Sequence, residues 1–448
     1  MKHTSGMSQA TIRPTAYMAP SSSISESPRA APFAVTGVVL IVANFVTAGI
    51  GTALPGLEKL SLSNLLPMLF VAVFGTLFLA SRETMPRKLA AFLLAFNASV
   101  LLSFTIFMLR DQWSPNLVVL FFQDVELLFC LLLCWYERDD PAAFRDAVKI
   151  GLYAVPLVAG IYGLQELRDG IVLMKFGMDD KSHAAILLSM ASFLLIRFHS
   201  GIASRVVAIA LLLMALMTAS RLPVLFVPAV TLALVVRSRH RGAVLLSLGL
   251  SLILLLHYYG DILLRTFTVA QRLASVQAIS GEDSTSSHIK LIQAAWEMKI
   301  SDPWYFLFGI GPSNFSKALT SAPDLLDRVA ALDPTLVVAA MKGQAPVHST
   351  QMAIFLDYPI WIFVLYFLCL LKVVQYLAAR RQYTDMLFVA ALLGSSAFYT
   401  LHNKPYFFLC VTCYGLLLLR EPAAPANPMP SPTARASNSN QGAARKTE

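Results

Sequence analysis

Apolar runs close to the length of a bilayer crossing recur along almost the whole chain, separated by short polar connectors. About twelve can be marked, near residues 33–54, 64–79, 89–109, 116–136, 150–167, 183–196, 202–219, 223–236, 242–258, 352–371, 386–401 and 406–419. Crossing about 30 Å of hydrocarbon takes roughly 20 helical residues, and irregular backbone cannot face lipid, so each run predicts a helix. No alternation of the β-barrel kind appears. The expected fold is an all-α polytopic membrane protein with about twelve transmembrane helices.

One polar excursion breaks this rhythm between the ninth and tenth runs, at 259–347, and ends in Val347-His348-Ser349-Thr350 as apolar sequence resumes. Connections of that length are uncommon unless they carry function. The predicted organisation is a tail over 1–32, helices one to nine over 33–258, a large helical loop over 259–347, helices ten to twelve over 348–419 and a second tail over 420–448. Both tails are rich in Ser, Pro or Thr and read as disordered. The polar stretch before the first run is too long for a secretory signal, so that run is expected to stay as a membrane helix.

Composition agrees with the pattern: 56% of residues are hydrophobic, 14% are charged, and the mean hydropathy is +0.64. Basic residues cluster on every second connector, at Arg82/Arg87/Lys88, Arg138/Arg145/Lys149, Arg197/Arg205, Arg237/Arg239/Arg241 and Lys372/Arg380/Arg381. Short Lys- and Arg-rich loops stay cytoplasmic, which puts both termini inside and the large loop outside. The net charge of +9 is thereby explained by membrane-flanking loops, and no nucleic-acid partner is implied. The five cysteines all fall within apolar runs, so no disulfide framework is expected.

Candidate chemistry gathers on the outer side. Arg221 sits on a tight connector, Thr218-Ala219-Ser220-Arg221-Leu222-Pro223, where a guanidinium can snorkel or bind phosphate bidentately. The large loop opens with Arg265 and Arg272 on an interfacial helix. A second amphipathic helix starts near His288 and Lys290, with Ser286 or Ser287 as cap. Asp302-Pro303 and Gly309-Ile310-Gly311-Pro312-Ser313-Asn314-Phe315 follow as a turn. They lack the third glycine and the strand-to-helix setting of a dinucleotide site.

His348 enters the tenth run, with Asp357 about nine residues on, facing the bundle. Arg168 and Lys175 place unexpected cations on an outer connector, which suits an anionic ligand. Asp124 and Glu126 lie within the fourth run, as a proton relay or as partners of Arg110 or Arg168.

Four of these features, in order over 168–367, resemble the O-antigen ligase and Wzy-type polysaccharide polymerase superfamily. They are Ser220-Arg221 before an apolar run, the helix from His288 to Asp302-Pro303, the Gly309–Phe315 turn, and His348-Ser349 opening a span. The resemblance implies a GT-C-like bacterial inner-membrane glycosyltransferase that takes a glycan from undecaprenyl pyrophosphate at the outer face. It implies His348 as catalytic residue and Arg221 as pyrophosphate ligand. Arg265, Arg272, His288 and Lys290 are candidates for the second ligand, and Asp357, Arg168 and Lys175 for acceptor or support roles.

The family pattern has arginine where His288 stands, asparagine where Ser349 stands, and a glycine near Pro359 that this chain lacks. These departures suggest a divergent member handling an exopolysaccharide or capsule. The implied partners are the lipid-linked oligosaccharide, an acceptor glycan or glycolipid, membrane lipid, and a chain-length regulator and export machinery. Neither cofactor nor metal is required, because arginines can neutralise a pyrophosphate leaving group. The alternatives are a ligase transferring glycan to lipid A core and, from another class, a lipid-linked glycan flippase or transporter.

Overall fold

The computed structural model describes residues 31–421 apart from 238–282 and short stretches at 49, 51–52, 55–56, 82–83, 112–116, 172–173, 179, 219, 221, 331–333, 344–346 and 403. The ninth run at 242–258 and the two proposed tails, apart from their edges, lie outside the described residues.

The described chain is helical apart from one hairpin. It runs α1 (Ala31–Thr47), β1 (Ala53–Leu54), β2 (Leu57–Ser61), α2 (Leu62–Ala80), α3 (Arg87–Asp111), α4 (Leu117–Asp139), α5 (Pro141–Arg168), α6 (Lys181–Phe198), α7 (Ile202–Met217) and α8 (Pro223–Arg237). Within the large loop come α9 (Asp283–Ser301), α10 (Pro303–Phe308), α11 (Phe315–Thr320), α12 (Pro323–Ala330) and α13 (Pro334–Met341). Then follow α14 (Thr350–Asp357), α15 (Ile360–Ala379), α16 (Tyr383–Phe398) and α17 (Pro405–Arg420). Among the described residues α2, α3, α5, α6 and α15 are long and apolar enough to cross a membrane, which makes this a helical membrane protein.

α6 is the axis of the bundle. It is apolar all round and buried almost throughout, as such a helix must be. Ala184, Ala185, Ser189, Ala191 and Ser192 keep its surface thin, so neighbouring backbones approach closely. Ser192 Oγ donates to the Ala208 carbonyl of α7 at 2.7 Å. α5, α8 and α17 close around the remaining faces.

Three expectations need correction. The first run does not continue to 54: α1 ends at Thr47, and the pairing of β1 with β2 takes up the following residues. The loop helix starts at Asp283, so Ser286 and Ser287 lie inside it and not at its cap. The tenth run is two helices, because Pro359 supplies no N–H and holds Tyr358 extended (φ −107°, ψ 162°). His348 therefore precedes a two-turn helix, and α15 alone has spanning length.

Charged side chains meet at one end of the bundle, where the basic clusters predict cytoplasm. Arg197 at the end of α6 bonds both Asp385 and Glu421, and the Glu137 carboxylate accepts from Arg420. Arg197 and Asp385 are 13% and 1% exposed, so neither charge is solvated. Arg197→Met should therefore lower stability by about 3 kcal/mol by stranding two carboxylates. Thermal unfolding in detergent checks this, and an unchanged midpoint would refute it.

Candidate functional site

At the opposite end, short polar side chains tie four elements together. Ser349 has an extended backbone and caps α14, its Oγ accepting from the Met352 N–H at 3.2 Å. Thr350 Oγ1 donates to the Tyr399 carbonyl at 2.8 Å and accepts from the Leu401 N–H at 2.8 Å. The Gln351 amide donates to Ser396 Oγ at 2.6 Å. Those bonds fasten the start of α14 to the connector after α16.

The same connector is linked to Ser220. Ser182 Oγ donates to the Tyr399 hydroxyl at 2.9 Å and accepts from Ser220 Oγ at 3.5 Å. His183 Nδ1 lies 2.8 Å from the Tyr406 hydroxyl. Ser220, which precedes Arg221, and the segment following His348 are thus joined through Ser182 and Tyr399. His348 itself is half-buried in the left-handed region, φ 54°, a conformation that non-glycine residues hold only where their surroundings enforce it.

The far end of α14 is gripped by the large loop. Three successive carbonyls accept from it: Leu356 from the Ile310 N–H at 3.1 Å, Asp357 from the Gly311 N–H at 2.9 Å, and Tyr358 from Lys299 Nζ at 3.0 Å. Gly309 makes this approach possible, since a Cβ there would lie 2.5 Å from the Asp357 carbonyl oxygen and the residue has φ +77°. The Asn314 amide braces the turn by donating to the Ile310 carbonyl at 2.7 Å. Asp302 does not end the preceding helix but begins α10, accepting from the Trp304 N–H at 2.8 Å while Arg110 of α3 donates to it at 2.9 Å.

Lys299 carries no signal in a motif. It falls on the buried face of α9 with Leu291 and Ala295, one step of four residues further on, where a lysine is out of place. It is fully buried, its Nζ 5.3 Å from the Phe355 ring centroid. Burial pushes its ammonium down to about 7, with the charge of Asp357 opposing. Asp357 is 5% exposed and lies under the loop at the end of a short helix, instead of within a spanning one; its Oδ1 has no partner among the described residues. The Tyr358 hydroxyl accepts from the Gln123 amide at 2.7 Å, a link to α4 that was equally unmarked.

The remaining candidates are placed unevenly. Arg221, Arg265 and Arg272 lie outside the described residues, as does the His288 side chain on α9. Lys290 is half-buried beside an open cleft of about 480 Å³ that Met352 of α14 also lines. Arg168 is 80% exposed and 3.6 Å from Asp169. Lys175 is exposed on a connector held by the Glu166 carboxylate, which accepts from the N–H groups of Lys175, Phe176 and Gly177 at 2.8, 3.1 and 3.2 Å. Among the described residues Arg168 pairs with neither Asp124 nor Glu126, and Arg110 is committed to Asp302.

Lys299→Met should cost about 1–3 kcal/mol by leaving the Tyr358 carbonyl without its donor, and Asp357→Asn in the same chain should return part of it by removing the carboxyl that Lys299 stabilises. Gly309→Ala should cost about 2 kcal/mol or more from strain alone. Thermal melts of the purified variants measure both; a double variant no more stable than Lys299→Met would exclude the pairing. No protein-family model matches this sequence, and no curated protein matches it.

Proposed function

We propose that this chain is a bacterial inner-membrane glycosyltransferase, an exopolysaccharide or O-antigen-type polymerase that transfers glycan from undecaprenyl pyrophosphate to an acceptor hydroxyl at the outer face. In this reading about twelve helices span the membrane, both termini are cytoplasmic, and the large loop lies outside. The observation that carries it is the bridge from Ser220 through Ser182 and Tyr399 to Thr350. It joins Ser220 to the segment that follows His348, on the end of the bundle away from the charged network, which supports a site shared by Arg221 and His348.

In the transfer step the acceptor oxygen forms a bond to the anomeric carbon while the bond from that carbon to the phosphate oxygen breaks. The electron pair leaves on the lipid pyrophosphate, whose growing charge Arg221 neutralises, with Lys290 as a second cation. The acceptor proton goes to the His348 imidazole as general base. One direct displacement inverts the anomeric configuration.

The purified protein should be incubated with a lipid-linked repeat unit, with and without lipid A core, and the products sized. Longer lipid-linked chains are expected; transfer to core instead would identify a ligase, and an untouched donor would favour transport. His348→Ala should fold with an unchanged melting point and give at least about a hundredfold less product, in the range for loss of a general base. Normal product from that variant would overturn the role of His348.

A further inference from the structure

The open cleft between α9, α12 and α14 is lined, besides Lys290, by side chains that the transfer step leaves unused. Lys290, Ile292, Gln293, Trp296 and Glu297 come from α9, Arg328 from α12 and Met352 from α14. Trp296 is 48% exposed. One side of its indole stacks on Phe355 of α14, centroids 5.2 Å apart at 22°, which fixes the ring while leaving part of it open.

Beside it, Arg328 grips the Glu297 carboxylate with both terminal nitrogens, one at 3.1 Å, so a guanidinium and a carboxylate are held together at the edge of the cleft. Arg328 is 55% and Glu297 43% exposed, leaving donor and acceptor capacity free for a ligand.

These groups match one chemical class. A pyranose presents an apolar C–H face and a rim of hydroxyls that donate and accept together. A rigid indole serves the first; a carboxylate, a guanidinium and a carboxamide serve the second. An acyl chain would make no use of Glu297, Arg328 and Gln293, and a bare phosphate would make no use of the Trp296 face. Met352 lies four residues after His348 in the sequence, so the cleft shares α14 with the segment that follows the proposed base.

We propose that this cleft is a saccharide-binding subsite that holds the acceptor glycan, with Trp296 as its stacking platform and Glu297, Arg328 and Gln293 as its hydroxyl partners. The assignment rests on the glycosyltransferase reading. Holding a non-reacting part of the acceptor there raises the local concentration of the hydroxyl end without contributing to bond breaking at the donor.

The test uses full-length protein in lipid nanodiscs. Oligosaccharide released from the enzyme's own product by mild acid is titrated by calorimetry, a readout that does not depend on the indole being replaced. Trp296→Ala and Arg328→Gln should each weaken its binding at least about tenfold, the cost of losing an anchoring contact, while Trp296→Phe keeps most of it. In the transfer assay both should shorten the product while leaving donor KM within about twofold, since uniform binding of the donor is untouched.

If Trp296→Ala melts early, Arg328→Gln alone decides. Unchanged oligosaccharide affinity and product length in a folded variant would overturn the subsite. So would a loss of brominated-lipid quenching in Trp296→Phe relative to wild type, because Trp296 would then face lipid. His348→Ala is run in parallel: normal polymer from it overturns the parent reading, whereas inactive His348→Ala beside wild-type behaviour of Trp296→Ala overturns only the subsite.

Discussion

The structure depends on what happens to the carbonyls at the end of α14. Pro359 stops the helix where apolar sequence would otherwise carry it into the membrane, and a terminating helix leaves its last carbonyls without intrahelical donors. Each left unpaired away from water costs about 1–3 kcal/mol. Three consecutive ones are satisfied by the large loop, through Ile310, Gly311 and Lys299. The loop is therefore the helix's missing cap, and neither can be placed without the other. A cation suits this position further, because the helix dipole is negative there.

Lys299 shows how such a solution constrains everything around it. Burying an ammonium is unfavourable unless hydrogen bonds and a countercharge accompany it, so Asp357, the Tyr358 carbonyl and the Phe355 ring gather on one group. The glycine turn must then come within backbone distance of α14, which only residues without a Cβ permit at 309. Docking of the turn in turn seats the loop on α3: Ser103 Oγ donates to the Phe308 carbonyl, and Arg110 bonds Asp302. The opposite end of the bundle meets the same demand with carboxylates, pairing Arg197 with Asp385 and Glu421.

What could be read from the chain follows the range of the interaction. Spanning length and the glycine turn are local, and their positions in the structure answer to local rules; the Ser349 cap is equally local but was not marked in the sequence. The break at Tyr358-Pro359 was equally local but was masked by the strong apolarity of 352–371, where hydropathy outweighed the proline. Lys299 left only a weak trace, a lysine on the face marked by Leu291 and Ala295. Gln123 with Tyr358, and Ser182 with Tyr399, join residues 235 and 217 positions apart, and no periodicity encodes such pairs. The start of α9 was missed because Asp283, Ser284, Thr285, Ser286 and Ser287 are all capping residue types, five candidates in five positions from which only tertiary packing selects.

Both ends of α14 are pinned, and this bears on His348. A left-handed histidine costs roughly 1–3 kcal/mol unless neighbours over-determine it. Ser349, Thr350 and Gln351 bind immediately after it, and the loop holds the helix two turns later, so the backbone at 348 has little freedom to relax. A base held in this way is oriented before any ligand arrives, which removes an entropic cost from the transfer it is proposed to serve. Phe355 lies in the same two turns and carries Trp296, so the wall of the α9 cleft is positioned by the bonds that position His348. His348 and the α9 cleft therefore share one rigid reference, and in the proposed reading adjustment to different acceptor lengths falls to the exposed side chains on α9 and α12 and not to the helix between them.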